Sequence, residues 1–520
     1  VPAAGAAAAG GPPEEAATPV PKRMRQAAGD DLADPITPEP PRKQLQVSLK
    51  SSVNDRILIK SAPGAAGAQT EAVTIQMLGD AKLWTGARGG AYAWMDESLE
   101  ERAAERDRRL AEVEAELVAA VRARHPELED LVVGVVGRPS QAEVVLCGRI
   151  LCEGLEGRLN ERAMLLEGSR SSAKGMRVQL NVSGCPSVSA FPGQLVAVLG
   201  RSGTSGTTFH ARDFVPGLAV PPAPALVAPD CRRLLHMMVL SGPFCTRDGL
   251  DYAPLQEALA HAAEAAPQTL LILGPLVDAG NRGIASGEAL LPGQGDEEDP
   301  LSYEEVYTRY VLPLLRQGVD RLRAASPATK VLLVPSLEDV LNFHPMPQPP
   351  LDLSLGPSLG NGGAEQLRRL GVELLPNPAH LTVDGLRLTV TSADALSPVL
   401  RSGLVLRPEE RKIEQALRLI LQQRSLFPVL PRDPPQVSEA RASALDFPDG
   451  ALPDVCIFPS ASGTASGSFV DGRLFVNPGT VCRPAALGSF AEIWLAPPSA
   501  QGSNGSLAER ARVDVKTFSK

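Results

Sequence analysis

Apolar residues recur at helical spacing between residues 97 and 124, and the pattern predicts one long helix there. Ser98 followed by Glu101 is a capping-box pattern that favours a helix start, and the pair His125-Pro126 is typical of a helix end. The remaining positions are mostly charged. We therefore expect the apolar stripe to pack on the domain that follows, and its members are Leu110, Val113, Leu117 and Val121.

Residues 140–215 alternate between apolar and polar positions, which indicates half-buried strands. The clearest run covers residues 176–182, and residues 191–194 predict a turn, with the sequence Phe-Pro-Gly-Gln. About five short strands within this length predict a small all-β barrel of the OB type. A proline-rich linker, residues 216–230, follows the barrel.

Beyond the linker the pattern changes to buried strands that alternate with amphipathic helices. Such a pattern predicts an α/β layered domain. Helices are expected over residues 252–265 and 302–325, and Ser302 with Glu305 again makes a capping box. The expected buried strands cover residues 234–240, 270–273, 331–334, 386–390 and 455–458.

The composition divides the chain into three parts. Residues 1–80 are predicted to be a disordered linker rich in Ala, Pro and Gly, because they offer too little apolar surface to stabilise a fold. Residues 81–228 are predicted to hold the helix and the OB domain, and residues 229–520 the α/β domain. Thr-Pro pairs make Thr18 and Thr37 candidate phosphorylation sites. The basic run 22–25 could be a nuclear signal, although a solvated linker with chance basic residues is the favoured interpretation.

Charge and composition argue against some classes of function. The chain has 520 residues, 43% hydrophobic content and a net charge of −9, so bulk electrostatics would not hold it to nucleic acid. An OB barrel can bind single-stranded DNA through exposed aromatic residues and a basic groove. The barrel segment offers Phe191 and Phe209 and no cluster of Lys and Arg, so a structural or protein-binding barrel is favoured.

The sequence also lacks the features of membrane-spanning, secreted, disulfide-linked and zinc-ribbon proteins. No stretch approaches the ~18 apolar residues of a membrane span, and residues 1–20 do not have the layout of a signal peptide. The seven cysteines are odd in number and form no CxxC pair, so neither a disulfide framework nor a zinc ribbon is expected.

Each buried strand of the α/β domain ends in a short loop, and loops at the carboxyl ends of strands are where such folds place their chemistry. The loops cover residues 241–244, 274–278, 335–339 and 459–460. Their order resembles the calcineurin-like metallophosphoesterases. In that family the loops read D-x-H, G-D-x-x-D, G-N-H-D/E and G-H-x-H, and their carboxylate, Asn and His side chains hold two metal ions.

The resemblance makes the substitutions in these loops informative. Gly242 and Phe244 stand where the family has the Asp and His of the first loop, and Pro275 stands where it has the metal-bridging Asp. Ser336 and Leu337 replace the catalytic Asn-His pair. These five residue types offer no set of side-chain ligands for two ions held roughly 3.5–4 Å apart. The resemblance therefore implies degenerate metal positions, no catalytic residue and no cofactor.

Carboxylates survive near these loops at Asp278, Glu338 and Asp339. Carboxylates without His would hold a transition metal poorly. The sequence has six histidines, and none falls at a ligand position of the family pattern. The final His-rich loop is replaced by residues 459–462, with the sequence Pro-Ser-Ala-Ser. We therefore predict a protein that is not an enzyme.

The same loops also resemble a narrower family, the B subunits of DNA polymerase alpha–primase. No single motif is decisive, but several occur in the family's order over residues 80–520. The matching segments are 165–168, 191–194, 239–244, 250–255, 273–278, 334–340, 344–350, 424–431, 453–460 and 476–479. The resemblance implies an OB-type barrel followed by an inactive calcineurin-like phosphoesterase domain.

The resemblance also implies a function. Such a protein would be a non-catalytic, nuclear accessory subunit that holds the zinc-binding C-terminal domain of the catalytic subunit during initiation of DNA replication and primer synthesis. Its partners would be the catalytic subunit and the primase subunits, with DNA bound at most weakly and no membrane. Phosphorylation would suit this class. The alternatives are an active metallophosphoesterase with relocated ligands and a single-stranded-DNA-binding OB protein.

The family usually begins with a small helical domain, and this sequence starts in the linker that would follow it. Partners that dock on that helical domain cannot be assigned from these residues. For the interface of the remaining protein, apolar residues near 343–350 are a candidate, and a rigid proline-rich loop is the competing interpretation.

Overall fold

A computed structural model describes most of the chain after residue 44. The predictions that concern Thr18, Thr37, the basic run 22–25 and the boundary at 228 lie outside the described part. The described residues are 45–55, 72–79, 97–128, 130–154, 158–223, 234–288, 290–291, 300–340, 345–351, 363–408, 410–432, 436–497 and 505–519.

Two strands lie within residues 1–80, where the sequence analysis expected only a disordered linker. Strand β1 (Gln46–Val53) pairs antiparallel with Ala511–Ser519 at the end of the chain, and strand β2 (Ile75–Met77) pairs antiparallel with Ala379–Val383. The linker prediction is therefore wrong for these segments. The physical reason is that their backbone hydrogen bonds come from strands hundreds of residues away, which local composition cannot reveal.

Helix α1 (Leu99–Arg124) confirms the predicted long helix. Its capping box is formed as expected: Ser98 Oγ accepts from the Glu101 amide at 3.1 Å, and the Glu101 carboxylate accepts from the Ser98 amide at 2.7 Å. The apolar stripe is buried against strands of the barrel and shares a core with them. The stripe therefore has the packing role that its spacing predicted.

A closed barrel follows α1 and confirms the OB prediction. Five strands run in the order β4-β5-β6-β9-β8, and β4 also pairs with β8, which closes the sheet on itself. Short β3 extends this sheet by pairing with β4. The strands of the barrel region are β3 (Val132–Val133), β4 (Val144–Cys152), β5 (Met164–Glu167), β6 (Arg177–Asn181), β7 (Val188–Ala190), β8 (Leu195–Ser202) and β9 (Thr208–Val215).

The C-terminal domain contains two packed sheets. The first has the order β1-β23-β22-β10-β11-β12-β13, with β10 to β13 parallel, and the second has the order β18-β19-β17-β15-β14-β2. The strands are β10 (Leu235–Ser241), β11 (Thr269–Leu273), β12 (Lys330–Val334), β13 (Val372–Leu374), β14 (Ala379–Val383), β15 (Leu386–Val390), β16 (Leu404–Leu406), β17 (Val455–Ile457), β18 (Ser466–Val470), β19 (Arg473–Asn477), β20 (Cys482–Arg483), β21 (Ala486–Leu487), β22 (Ser489–Leu495) and β23 (Ala511–Ser519).

Helices cover the outer face of each sheet, so the domain has four layers. An apolar core lies between the sheets, and one further core lies between each sheet and the helices that cover it. The remaining helices are α2 (Arg170–Ala173), α3 (Ala253–Ala265), α4 (Arg282–Ser286), α5 (Tyr303–Glu305), α6 (Leu312–Ala325), α7 (Gly363–Arg369), α8 (Leu396–Ser402), α9 (Lys412–Gln422) and α10 (Leu507–Arg510), with 3-10 helices at Glu439–Leu445 and Pro448–Gly450.

The helix predicted over residues 302–325 is present, but it changes geometry along its length. The capping box at Ser302 and Glu305 is formed, a π-helical segment covers Val306–Val311, and α6 then continues to Ala325. Pro313 explains the change, because it has no N–H to donate and its ring would clash with the preceding turn of a regular helix. The amide of Leu312 accordingly reaches back to the Tyr307 carbonyl.

Two further properties concern the helices and the cysteines. Within the described ranges no helix is both long and apolar enough to cross a bilayer. Six of the seven cysteines are described, and each is a free thiol, while Cys231 lies outside the described residues. Burial raises the pKa of Cys245 to about 11, so that thiol is unreactive near neutral pH.

Candidate functional site

The loops at the carboxyl ends of β10, β11 and β12 lie side by side, as the parallel strand order predicts. The Gly242 amide donates to the Leu273 carbonyl at 2.8 Å, and the Gly274 amide donates to the Val334 carbonyl at 2.9 Å. We call these three loops, together with the loops after β15 and β17, the strand-end cluster. It occupies the position at which α/β folds carry chemistry.

Backbone fills the space between the first two loops. A Cβ atom placed on Gly242 would lie 2.2 Å from the carbonyl oxygen of Pro275 and 2.8 Å from its nitrogen. Both prolines of these loops, Pro243 and Pro275, follow cis peptide bonds. A carboxylate at position 242 would therefore require the second loop to move. Phe244 lies buried in the core that also contains residues of α3 and α6.

The third loop packs equally closely against the second. A Cβ atom on Gly274 would lie 3.0 Å from the Cβ of Ser336. Ser336 is buried, and its hydroxyl accepts from the Glu338 amide at 3.1 Å. Leu337 is half-buried and packs on the core beneath the second sheet. The two residues that stand at the family's Asn-His position thus serve packing and local backbone structure.

The surviving carboxylates are used to shape the loops. Buried Asp339 accepts through Oδ2 from the amides of Leu276, at 2.7 Å, and Val277, at 3.4 Å. Asp278 accepts from the Gly280 amide at 2.8 Å. The pKa of Glu338 is raised, first because the neighbouring loops limit its hydration and second because Asp278 is near. Among the described residues, no group of three His, Cys, Asp or Glu side chains is placed to hold a metal ion. The donor set and the closed backbone do not fit a two-metal centre.

A hydrogen-bond network at the loop after β15 escaped the sequence analysis. Asn377, which is fully buried, donates through Nδ2 to Gln348 Oε1 and to Ser392 Oγ, both at 2.8 Å. Ser392 in turn donates to the Pro335 carbonyl at 2.6 Å, and Thr391 donates to Asn377 Oδ1 at 2.7 Å. The Asn-Pro dipeptide at 377–378 signals only a turn, so the sequence held no indication that its amide joins the loops.

The last loop, residues 459–462, also hydrogen-bonds within the cluster. Its Ala461 amide donates to Asp394 Oδ2 at 2.9 Å, and the Ser462 hydroxyl lies 2.6 Å from the hydroxyl of Ser397. The Ser460 amide donates to Asn477 Oδ1 at 3.1 Å. These partners belong to the same domain, so the polar groups of the cluster tie its loops to one another.

Two histidines lie towards the other end of the first sheet, His236 on β10 and His261 on α3. His236, near the start of β10, stacks on Trp494 with ring centroids 3.5 Å apart. Glu492 lies between His236 and His261, whose Nε2 atoms are 3.7 Å and 2.6 Å from its carboxylate oxygens. Burial alone would raise the pKa of Glu492, but the two imidazoles hold this pKa well below its usual range. His236 is buried and His261 is half-buried.

The turn at residues 191–194 joins the two domains. Phe191 is fully buried and belongs to the core beneath the second sheet of the C-terminal domain, rather than to the barrel core. The Pro192 carbonyl accepts from the Leu430 amide at 2.8 Å. Gly193 has φ of +97°, and a Cβ atom there would lie 2.7 Å from the Leu430 amide nitrogen. Only glycine fits this close approach.

Gln423 completes the contact from the other side. Its Oε1 accepts from the Leu195 amide at 2.9 Å, and its Nε2 donates to the carbonyls of Leu195 and Pro216, both at 2.9 Å. Strand β7 also pairs antiparallel with β16 of the C-terminal domain, and Arg109 of α1 lies 3.4 Å from Asp446. We call the turn 191–194, Gln423 and these contacts the domain contact.

The candidate for an interface at residues 343–350 is wrong for residues 346–349, which are buried, whereas Pro350 is half-buried. Met346 and Gln348 are fully buried, and Met346 belongs to the core beneath the second sheet. Residues 343 and 344 lie outside the described residues. The alternative interpretation, a rigid proline-rich loop, fits the buried segment better because Gln348 hydrogen-bonds to Asn377.

The closed barrel and the two-sheet domain with its phosphoesterase-like loop order set the class of the protein. Residues 237–466 match the family model for the DNA polymerase alpha/epsilon B subunit, so the class is that of polymerase B subunits. Residues 109–217 match the model for the OB domain of the DNA polymerase alpha B subunit. The chain belongs to the family of DNA polymerase alpha B subunits.

Curated relatives agree with this assignment. The chain is 28% identical over 414 residues to the DNA polymerase alpha B subunit of Schizosaccharomyces pombe, which covers 75% of this chain and 66% of the relative. It is 26% identical to the protein of that name from Rattus norvegicus, over 69% of this chain and 55% of the relative. It is 24% identical to the protein of that name from Saccharomyces cerevisiae, over 72% of this chain and 59% of the relative. The chain thus spans between about half and two thirds of the length of the relatives it matches.

Proposed function

We propose that this protein is a non-catalytic accessory subunit of DNA polymerase alpha–primase that acts in the nucleus. In this proposal it holds the zinc-binding C-terminal domain of the catalytic subunit, and through it the primase subunits, during initiation of DNA replication. The observation that carries the proposal is the contact between Gly242 and Pro275, because it closes the position at which a phosphoesterase would bind metal. The domain boundaries at 81–228 and 229–520, and phosphorylation at Thr18 and Thr37, remain part of the proposal.

The geometry argues against the first alternative, an active metallophosphoesterase. Two catalytic metal ions need several oxygen and nitrogen ligands around a shared space. Here the backbone of the Pro275 loop occupies that space, and Phe244 is committed to the core. One carboxylate of these loops, Asp339, already accepts from two backbone amides. Relocated ligands would have to come from residues that the loops need for their own structure.

Burial of the aromatic residues argues against the second alternative, a barrel that binds single-stranded DNA. Phe191 and Phe209 are buried, and so is a third aromatic residue of the barrel segment, Phe214. Bases stack on exposed aromatic rings in this mode of binding. In the described barrel these three rings face protein cores and are not available to a base.

A surface that both domains share supports the scaffolding proposal. A groove of about 940 Å³ lies between α1 and the loops near residues 374–380 and 443–450. Its lining includes Met77, whose side chain is 46% exposed, and Val113 of α1. Because the domain contact fixes α1 against the C-terminal domain, a partner seated here would touch both. Tethering of this kind raises effective concentration and needs no chemistry.

Co-expression with the C-terminal segment of a polymerase alpha catalytic subunit tests the proposal. We expect a stoichiometric complex that survives size-exclusion chromatography, since obligate subunit interfaces are large and partly apolar. Met77→Glu should weaken that complex, because it places a charge on an exposed apolar residue of the groove. Met176→Glu is the matched control, since Met176 is similarly exposed on the barrel and does not line the groove.

Three outcomes are informative. Absence of a complex with the unaltered chain would contradict the proposed function. A complex that tolerates Met77→Glu as well as it tolerates Met176→Glu would keep the function and move the interface away from the groove. Hydrolysis of a generic phosphodiester in the presence of Mn²⁺, abolished by a substitution in the strand-end cluster, would favour the phosphoesterase alternative.

A further inference from the structure

A cluster of arginines lines a second cavity, on the side of α1 that faces the barrel. The cavity has a volume of about 280 Å³, which is several times that of a water molecule. We call it the arginine cavity. Its charged lining residues are Arg102, Arg106, Arg149, Arg170, Asp107 and Glu167.

Arg149 is the central group of this cavity. It lies on β4 and is only 8% exposed. Its single hydrogen bond among the described residues runs from Nη2 to the Arg106 carbonyl at 2.7 Å, and its buried Nε has no partner there. A buried guanidinium with unused donors is costly unless an acceptor completes it.

Neighbouring charges do not supply that acceptor. Burial first and nearby Arg106 second lower the pKa of Arg149 to about 10, although Glu167 and Glu439 act in the opposite direction. Glu167, opposite Arg149 on β5, is bound by Arg177 at 2.8 Å. Asp107 accepts from the amide of Arg170 at 2.7 Å. The carboxylates that line the cavity are therefore bound to groups other than the Arg149 guanidinium.

Two of the other three arginines of the cavity are held only loosely. Arg102 lies 3.6 Å from Glu97, and Arg106 lies 3.6 Å from Glu439. Glu439 is held more closely by Arg432, at 2.7 Å. Among the described residues, neither Arg149 nor Arg170 forms an ion pair within 4.0 Å. The arginine cavity thus has an excess of positive charge in a chain whose net charge is −9.

We propose that the arginine cavity binds one oxyanion group, a carboxylate or a phosphate, carried by a side chain of a partner polypeptide. Arginine forks match such groups with paired hydrogen bonds. The wider surface favours a polypeptide over a nucleic acid, because Asp107 and Glu167 also line the cavity and the chain as a whole has a net charge of −9. A run of phosphates would meet those carboxylates, whereas a single side chain need only enter the cavity.

Inorganic phosphate is the first probe. The whole chain should show a saturable rise in its thermal unfolding midpoint with phosphate, beyond that produced by sodium chloride of equal ionic strength. Arg149→Met keeps the apolar stem and removes the buried donors, and Arg170→Gln removes an exposed one. We expect each to weaken phosphate binding, by about tenfold for Arg149 and less for Arg170.

Arg321→Gln is the matched control, because Arg321 is exposed on α6, far along the chain from the cavity, and the substitution changes the charge equally. A phosphate effect that is no larger than that of chloride, or that is the same in Arg170→Gln, Arg321→Gln and the unaltered chain, would overturn the proposal. If Arg149→Met does not fold, Arg170→Gln still decides the question.

The source of the oxyanion is tested with two labelled probes. A short peptide that carries one phosphoserine should bind and be displaced by phosphate, in an Arg170-dependent manner. A ten-residue thymidine oligonucleotide should not show Arg170-dependent binding, and if it did, a nucleic-acid ligand would replace the one proposed. Because this site lies apart from the strand-end cluster and the groove, its failure would leave complex formation with the catalytic subunit intact.

Discussion

The strand-end cluster and the domain contact are both buried, but their polar groups have different partners. In the cluster, Asn377 and Asp339 bind loops of their own domain. In the domain contact, Gln423 binds backbone of the barrel, more than 200 residues earlier in the chain. The loops whose order resembles that of phosphoesterases therefore serve internal packing, while specific polar contacts join the two domains.

The largest expected effect comes from Phe191→Ala in the domain contact. Removing a fully buried ring should lower the free energy of unfolding by about 3–5 kcal/mol. Phe209→Ala is the control, because Phe209 is equally buried but belongs to the barrel core. Chemical denaturation measures both losses. Hydrogen exchange should show faster opening near Leu426 and Leu430 only in Phe191→Ala, and equal opening in both variants would argue that the turn does not hold the domains.

The second effect concerns the strand-end cluster. Gly242→Asp restores a ligand type of the phosphoesterase family, yet its Cβ would lie 2.2 Å from the Pro275 carbonyl oxygen. We expect a loss of about 3 kcal/mol in the free energy of unfolding and no gain of metal binding by calorimetry. Leu337→His is the companion variant, since it adds the other ligand type at a half-buried position and should cost less. A stable Gly242→Asp variant that binds Mn²⁺ would contradict the closed geometry.

The two regions differ in how well the sequence predicted them. The strand-end cluster followed from local signals, because buried strands that end in short loops appear in the pattern of apolar residues. The domain contact did not, because Phe191 reads as part of a turn and Gln423 as one polar residue at the end of a helix. Their partners are distant in sequence, and a non-local hydrogen bond leaves no local signal. Strand β1 was missed for the same reason.

A third prediction tests whether the polar groups of the domain contact matter beyond packing. Gln423→Ala leaves the amide of Leu195 and the carbonyls of Leu195 and Pro216 without their partner. We expect a loss of about 2 kcal/mol, the usual cost of unsatisfied buried groups. Gln422→Ala is the control, because Gln422 is half-buried and makes no side-chain hydrogen bond within the described residues. Equal losses in the two variants would show that only side-chain volume counts.

The smallest expected effect is a pH dependence of stability at the contact between the 3-10 helix Glu439–Leu445 and the second sheet. This 3-10 helix also contacts α1. His380 is buried there, with Nδ1 2.9 Å from Thr389 Oγ1 and Nε2 3.3 Å from the Ala444 carbonyl. Burial lowers its pKa to about 4, whereas the unfolded chain has a pKa near 6.5. Between these values the unfolded state binds more protons, so stability falls as pH is lowered from 6.5 towards 4.

The contribution of His380 to this pH dependence can be measured by comparing a variant with the unaltered chain. His380→Gln cannot take up the proton, so its free energy of unfolding should fall less than that of the unaltered chain between pH 7.5 and pH 5.5, by about 1 kcal/mol. His210→Gln, at an exposed position of the barrel, is the matched substitution that also removes one histidine. If His380→Gln and the unaltered chain lose stability in parallel, the contact between the helix and the sheet does not depend on a neutral imidazole. In that case the apolar packing of this segment and the ion pair between Arg109 of α1 and Asp446 hold the helix in place, and the imidazole of His380 adds nothing to the domain contact.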